Sequence, residues 1–219
     1  MKLVQRVSLS FGLVIILVLI MVAISVVGVS QMNHSLANVA DKAAPVRLIS
    51  SNIHIYALQH RRFEKDFFLN SGNVETQKEY LGKYAKVSEK MVNELGKMET
   101  LLPLLDSGTQ VKIRPIFTTI KEQYQAYKAG FDGVSQEVLA QPSMTPGEGN
   151  QKMIPFKTPI HQLETNVDSL VALSNVMFDE NVQHSVAQGS IVQDVTVAVS
   201  VIALLIALVA AMDYATSFL

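Results

Sequence analysis

The sequence predicts an all-α protein: an up-down antiparallel four-helix bundle whose first and last helices are continuous with two transmembrane helices. Three observations carry that prediction. Val7–Val29 and Val195–Met212 are apolar runs without a charged residue, one near each end of the 219-residue chain. Between them, apolar residues recur at alternating steps of three and four, the pattern of a helix with one buried face. Breakers divide this interior into four helix-length segments, and no alternating strand pattern competes.

A hydrocarbon core takes roughly 20 apolar residues of helix to cross, so residues 7–29 and 194–212 are read as transmembrane helices. Lys2 and Arg6 flank the first on its N-terminal side, which places residues 1–6 in the cytoplasm by the positive-inside tendency. A cleaved signal peptide is the competing reading. Its apolar core would span about 7–15 residues, and Val27-Gly28-Val29 is a poor small-x-small cleavage site. Two crossings return the tail, residues 213–219, to the cytoplasm. Residues 30–193 then lie outside, in the periplasm where the cell has two membranes.

Within that interior, Asn70-Ser71-Gly72-Asn73 is a short turn and Pro103–Gly108 a second. Gln141–Pro159 holds four of the seven prolines and reads as a long loop, whose composition fits either a lid or a disordered stretch. The third helix carries the cleanest seam: Ile113, Phe117, Ile120, Tyr124, Tyr127, Phe131, Val134 and Val138. The second carries Tyr80, Tyr84, Val87, Met91, Leu95, Met98 and Leu102. Ile160, Leu163, Val167, Leu170, Ser174 and Met177 mark the fourth. The first is less regular, with Leu36, Val39, Ala43, Val46, Ile53, Ala57, His60 and Phe67. Pro45 is expected to bend it, since proline lacks an amide donor and crowds the preceding turn; Pro115 falls in the opening turns of the third. Two short connections and one long one suit an up-down bundle.

Composition excludes several functions. The net charge is −1, so no basic surplus points to nucleic acid. Cysteine is absent, which removes disulfides and thiolate metal sites. No phosphate loop, nucleophile elbow or paired metal-binding histidines occur, and His34, His54, His60, His161 and His184 are scattered. The chain is not read as an enzyme, and no cofactor or metal is expected.

Arg61-Arg62-Phe63-Glu64-Lys65-Asp66-Phe67-Phe68-Leu69 closes the first interior helix. An Arg-x-x-Glu-Lys-Asp-Phe-x-Leu stretch there, between an apolar anchor and a turn, resembles the sensory region of methyl-accepting chemotaxis proteins. The resemblance covers nearly the whole chain and favours a single periplasmic four-helix ligand-binding bundle. It implies a receptor in the inner membrane, homodimeric or in mixed receptor assemblies, that shifts one helix across the bilayer when a small amino acid or organic acid binds. Members of that family continue into a HAMP linker and a methylated cytoplasmic coiled coil. Only Asp213–Leu219 follow the second run here, so a receptor cut short before its output domain is expected. A short two-span accessory or structural protein, paired with other receptors and without its own ligand, is the alternative.

Arginine forks match carboxylates with two parallel hydrogen bonds. Arg61 and Arg62 lie about eight residues below the first turn, and the same depth on the second helix reaches Lys83 and Tyr84. On the third and fourth it reaches Phe131 with Asp132, and Val167 with Asp168. Arg61, Arg62, Lys83 and Tyr84 are therefore the candidate ligand contacts, for a carboxylate. Ordinary ion pairs with Glu64, Asp132, Glu164 and Asp168 are the alternative reading of both arginines, and His60 falls on the apolar seam as a core histidine. Ala203, Ala207 and Ala211 form a small-residue stripe suited to close helix approach in lipid.

Overall fold

The computed structural model describes residues 3–216, so Lys2 and the last three residues of the predicted tail lie outside the described residues. Helix α1 spans Leu3–Asn38 and ends in a π-helical turn, Val39–Ala43; α2 spans Ala44–Leu69 and α3 Val74–Leu101. A 3₁₀ turn, Leu102–Leu104, leads to α4, Ser107–Ala140, followed by α5, Pro146–Lys152, and α6, Ile154–Thr216. Among the described residues there is no strand. The chain is all-α, as its periodicity predicts.

Two compact units emerge, one from residues 40–179 and the other from the flanking stretches 1–39 and 180–219. In the first, α2, α3, α4 and the opening half of α6 contribute to one apolar core. All eight predicted seam residues of α4 are buried, as are all six of α6. On α3 only Tyr80 is merely half-buried. On the first segment Ala43, Val46, Ile53, Ala57, His60 and Phe67 are buried, but Leu36 is 49% exposed. Leu36 precedes the π turn and belongs to α1, where residues 32, 35 and 39 turn inward instead. Pro45 sits in the first turn of α2, directly after the π turn. With no amide to offer the preceding turn, the chain winds wider over Val39–Ala43 before α2 begins.

Local chemistry sets the connections. Asn73 caps α3 by accepting from the Thr76 amide at 3.1 Å, after Gly72 takes a φ of +91° that only glycine adopts easily. Asp106 caps α4 through the Thr109 amide at 2.9 Å. Pro115 lies inside α4 rather than breaking it.

The long loop expected over Gln141–Pro159 is not there. Thr145 and Glu148 form a reciprocal capping box that starts α5, with Pro146 in its first turn. Helix α6 then begins at Ile154 and runs through Pro159. Met144, Met153 and Gly149 are buried by this arrangement, and Gly149 lies against Phe68. Prolines near the start of two helices had the composition of a loop. A residue with no amide donor costs little there.

In the other unit, α1 and the last part of α6 pair antiparallel along a seam of small and hydroxyl side chains. Ser35 bonds Ser185 at 2.8 Å, Ser25 lies 3.5 Å from Thr196, and the Ser200 hydroxyl approaches the Met21 sulfur at 3.1 Å. Gly28 lies so close to Val192 that a Cβ would overlap it. The predicted alanine stripe is not this seam. Ala203 is half-buried, while Ala207 and Ala211 face outward. Among the described residues, two helices are long and apolar enough to cross a membrane, and in their most apolar stretches only 6% and 0% of residues are buried. So little burial distinguishes them from the core helix of a globular unit.

Candidate functional site

A polar layer crosses the mainly apolar core of the 40–179 unit. It is built from α2, α3, α4 and α6, and it has two halves that adjoin on α2.

The first half centres on His60, which is 1% exposed. Its Nδ1 lies 2.7 Å from the Tyr56 carbonyl, which can only accept, so Nδ1 carries the proton. Nε2 is then the acceptor. The Ser88 hydroxyl reaches it from α3 at 2.9 Å, and the Tyr124 hydroxyl stands 3.5 Å from it on α4. The rings of Tyr84 and Tyr124 stand steeply to the imidazole plane, at 86° and 71°, with centroids 4.6 Å and 5.4 Å away. Burial dominates its titration and lowers its pKa from 6.5 to about 4, against the opposing pull of the Tyr56 carbonyl. At neutral pH this histidine is uncharged.

The second half is an ion pair. Glu64, 2% exposed, accepts at both oxygens from one guanidinium nitrogen of Arg61, NH1, at 3.1 Å and 2.9 Å. Tyr127, fully buried on α4, donates to Glu64 Oε2 at 2.6 Å. The Nε of Arg61 faces Glu164 on α6 at 3.3 Å, and Glu164 also meets His161 at 3.2 Å. Burial works against the Arg61 charge, but Glu64 outweighs it and the guanidinium pKa is raised. Burial, with the neighbouring Tyr84 and Glu64, holds the Tyr127 hydroxyl well above its ordinary range. The Tyr84 hydroxyl is buried beside this group without a hydrogen-bond partner of good geometry. Its pKa is also pushed up, mainly by burial.

The four predicted contacts separate into two pairs. Arg61 and Tyr84 both join the polar layer. Arg62 is 76% exposed and faces Asp66 at 3.7 Å. Lys83 is 43% exposed, bonds Glu79 at 2.6 Å and covers the Tyr80 ring. Neither is drawn towards Arg61.

The depth count also shifts on α6. Arg61 meets Glu164, while Asp168 pairs with His54 at 3.4 Å. Counting from Pro159 placed α6 too late, because the helix starts at Ile154. At the end of the unit, Phe131 packs against Phe67, Phe68 and Tyr84 and forms an aromatic plug. Asp132 is taken up by Lys128.

Sequence reading named Glu64 and Glu164 as ion-pair partners of the arginines, and both meet Arg61, but it passed over Ser88 and the burial of Glu64. The signal was present. Ala57, His60, Glu64 and Phe67 keep steps of three, four and three, so Glu64 occupies a seam position. Tyr84, Ser88 and Met91 do the same on α3. A polar residue in phase with a buried stripe marks a core polar group.

Chemically, the layer holds a carboxylate against the Arg61 guanidinium and keeps a neutral imidazole dry. The Ser88 hydroxyl is paired with the His60 imidazole, and both are buried, at 5% and 1% exposed. Among the described residues no cluster of three or more histidine, aspartate or glutamate side chains is placed to hold a metal ion. Comparison of the chain with protein-family models, curated protein sequences and solved structures gives no match.

Proposed function

We propose that this chain is the sensory region of a transmembrane receptor of the chemotaxis type. In this reading the apolar parts of α1 and α6 cross the inner membrane, and residues between them form an extracytoplasmic up-down four-helix bundle. A small carboxylate, an amino acid or organic acid, binds at Arg61, and the change passes inward along α6. The observation that supports it best is Arg61 itself, a half-buried guanidinium already holding one internal carboxylate through NH1 and facing a second through Nε. Glu164, the more exposed of those two, is the group an incoming acid would displace. Because Glu164 lies on α6, displacement would loosen that helix from α2. A ligand shifts a packed two-state element only through such a difference in contacts.

The test uses the full chain in lipid nanodiscs, with thermal unfolding recorded against a panel of amino acids and small dicarboxylates. A ligand at 100 times its Kd adds about 2.7 kcal/mol to the native state, and Arg61→Ala should abolish that gain. No stabilisation by any acid, or an undiminished gain in Arg61→Ala, would count against the reading.

A second reading, an accessory two-span protein without its own ligand, is favoured by the same pair of carboxylates. They leave Arg61 saturated. Cross-linking from cysteines placed at Ala207 and Ala211, both outward-facing, separates the two readings. Capture only of unrelated membrane proteins, together with an empty ligand screen, selects the accessory role.

A further inference from the structure

We propose that His60 is an acid-operated latch. Its neutral Nε2 ties α2 to α3 and α4, and protonation of that atom releases the tie. The inference stands on the placement of the side chain and does not depend on the proposed ligand.

His60 is the one histidine among the buried residues. Both of its nitrogens are engaged within one chain neighbourhood and across two further helices. The contact that crosses to α3 uses Nε2 as an acceptor. A proton there turns the atom into a donor, facing hydroxyls that must rotate to accept. It also puts a cation in a site that burial has stripped of water.

No partner stands ready to neutralise that cation. From α3 the nearby titratable group is Tyr84, held neutral by burial. From α4 come Tyr124, held neutral by burial too, together with Lys128 and Asp132, which pair with each other. On α2, Glu64 is committed to Arg61 and Tyr127. On α6, Glu164 is held by Arg61 and Asp168 by His54. A charged His60 is therefore relieved only by opening the layer to water.

The sign follows from burial. The folded-state pKa is depressed to about 4 from 6.5, so the latch is fully closed above the unfolded value and weakens as pH falls through that window. Across it the equilibrium between closed and open states moves by about 300-fold, after which it levels off.

The experiment uses the full chain in nanodiscs with histidine Cε1 labelled for NMR. The His60 resonance is assigned by its loss in His60→Gln, and near-UV circular dichroism of the tyrosines is recorded over the same pH range. The expected result is a His60 midpoint about two units below the ordinary histidine value of about 6.5, coincident with loss of tyrosine ellipticity. In His60→Gln, neutral at every pH, that loss should vanish. A His60 midpoint at the ordinary value, or an unchanged tyrosine transition in His60→Gln, overturns the proposal. Ser88→Ala keeps the histidine and serves if His60→Gln does not fold. Removing the donor to Nε2 should raise the midpoint and move the tyrosine transition with it, and no movement in either likewise overturns it.

Discussion

Tyr127→Phe tests whether the Glu64 half of the polar layer contributes to stability. The substitution removes one oxygen and nothing else, and that oxygen donates to Glu64 at 2.6 Å from a fully buried ring. A hydrogen bond to a charged group contributes about 1.5–3 kcal/mol, and burial removes water as a replacement donor. We expect a loss of about 2 kcal/mol. Glu64→Gln should cost more, about 3 kcal/mol, because it leaves Arg61 in a half-buried site with only Glu164 beside it. Both substitutions break the same contact, so their effects should not add, and the double variant should fall short of the sum by about 1 kcal/mol or more. The assay is urea unfolding of the full chain in detergent micelles, followed by tyrosine fluorescence. Tryptophan is absent, and of the six tyrosines only Tyr214 lies outside residues 40–179, so the signal reports that unit. If Tyr127→Phe unfolds within about 0.5 kcal/mol of the parent, below the usual contribution of even a neutral bond, the reasoning fails.

Packing and capping give further expected outcomes. A Cβ at Gly130 would overlap the Phe156 ring, so Gly130→Ala should destabilise the same unit by about 1–3 kcal/mol, whereas Gly133→Ala, with open space at its Cβ, should not. Urea midpoints of the pair decide it. Thr145→Ala removes the capping box of α5 and should cost about 1 kcal/mol, with faster amide exchange over residues 146–152 as the local readout. In the other unit, Gly28→Leu should force α1 away from Val192. Cysteine cross-linking between positions 25 and 196 should then lose efficiency, and retention of the parent rate would show that the close approach does not depend on glycine.

The all-α class was legible because the long interior helices carry seams that a single physical rule predicts. Ile113 to Val138 advance by four and three without interruption, and every one of them is buried. What the rule missed came from residue types it discounts. Glu64 is in phase with His60 and Phe67, and its pairing with Arg61, three residues away, was legible; its burial and its partner Tyr127, 63 residues away, were not, because a carboxylate on a seam reads as a gap. Proline density concealed α5 and the start of α6, since Pro146 is as compatible with a helix's first turn as with a loop. The exposed positions of Arg62 and Lys83 were equally beyond reach. Spacing assigns depth along a helix, but the rotation about its axis is fixed by whichever stripe is buried, and Lys83 immediately precedes the buried Tyr84.

The polar layer raises a question that the seams do not answer, because an apolar core would hold these helices at least as well. Four seams of nearly uniform apolar residues tolerate sliding by a turn at small cost, since one Leu, Met or Val replaces another. His60 with Ser88, and Glu64 with Tyr127, do not tolerate it. Each slipped register leaves a buried charge or hydroxyl without a partner, at several kcal/mol for the charge. We therefore read the layer as fixing register more than adding stability, a role best attested for buried polar groups in coiled coils. The combined variant Arg61→Met, Glu64→Leu, Tyr127→Phe separates the two roles. If the layer fixes register, this variant should unfold at or above the parent's urea midpoint, unlike Glu64→Gln alone, while its histidine and tyrosine NMR lines broaden as packings interconvert. If instead its midpoint drops as far as that of Glu64→Gln, with lines as sharp as the parent's, the ion pair is a net source of stability. The register argument would then have to be abandoned.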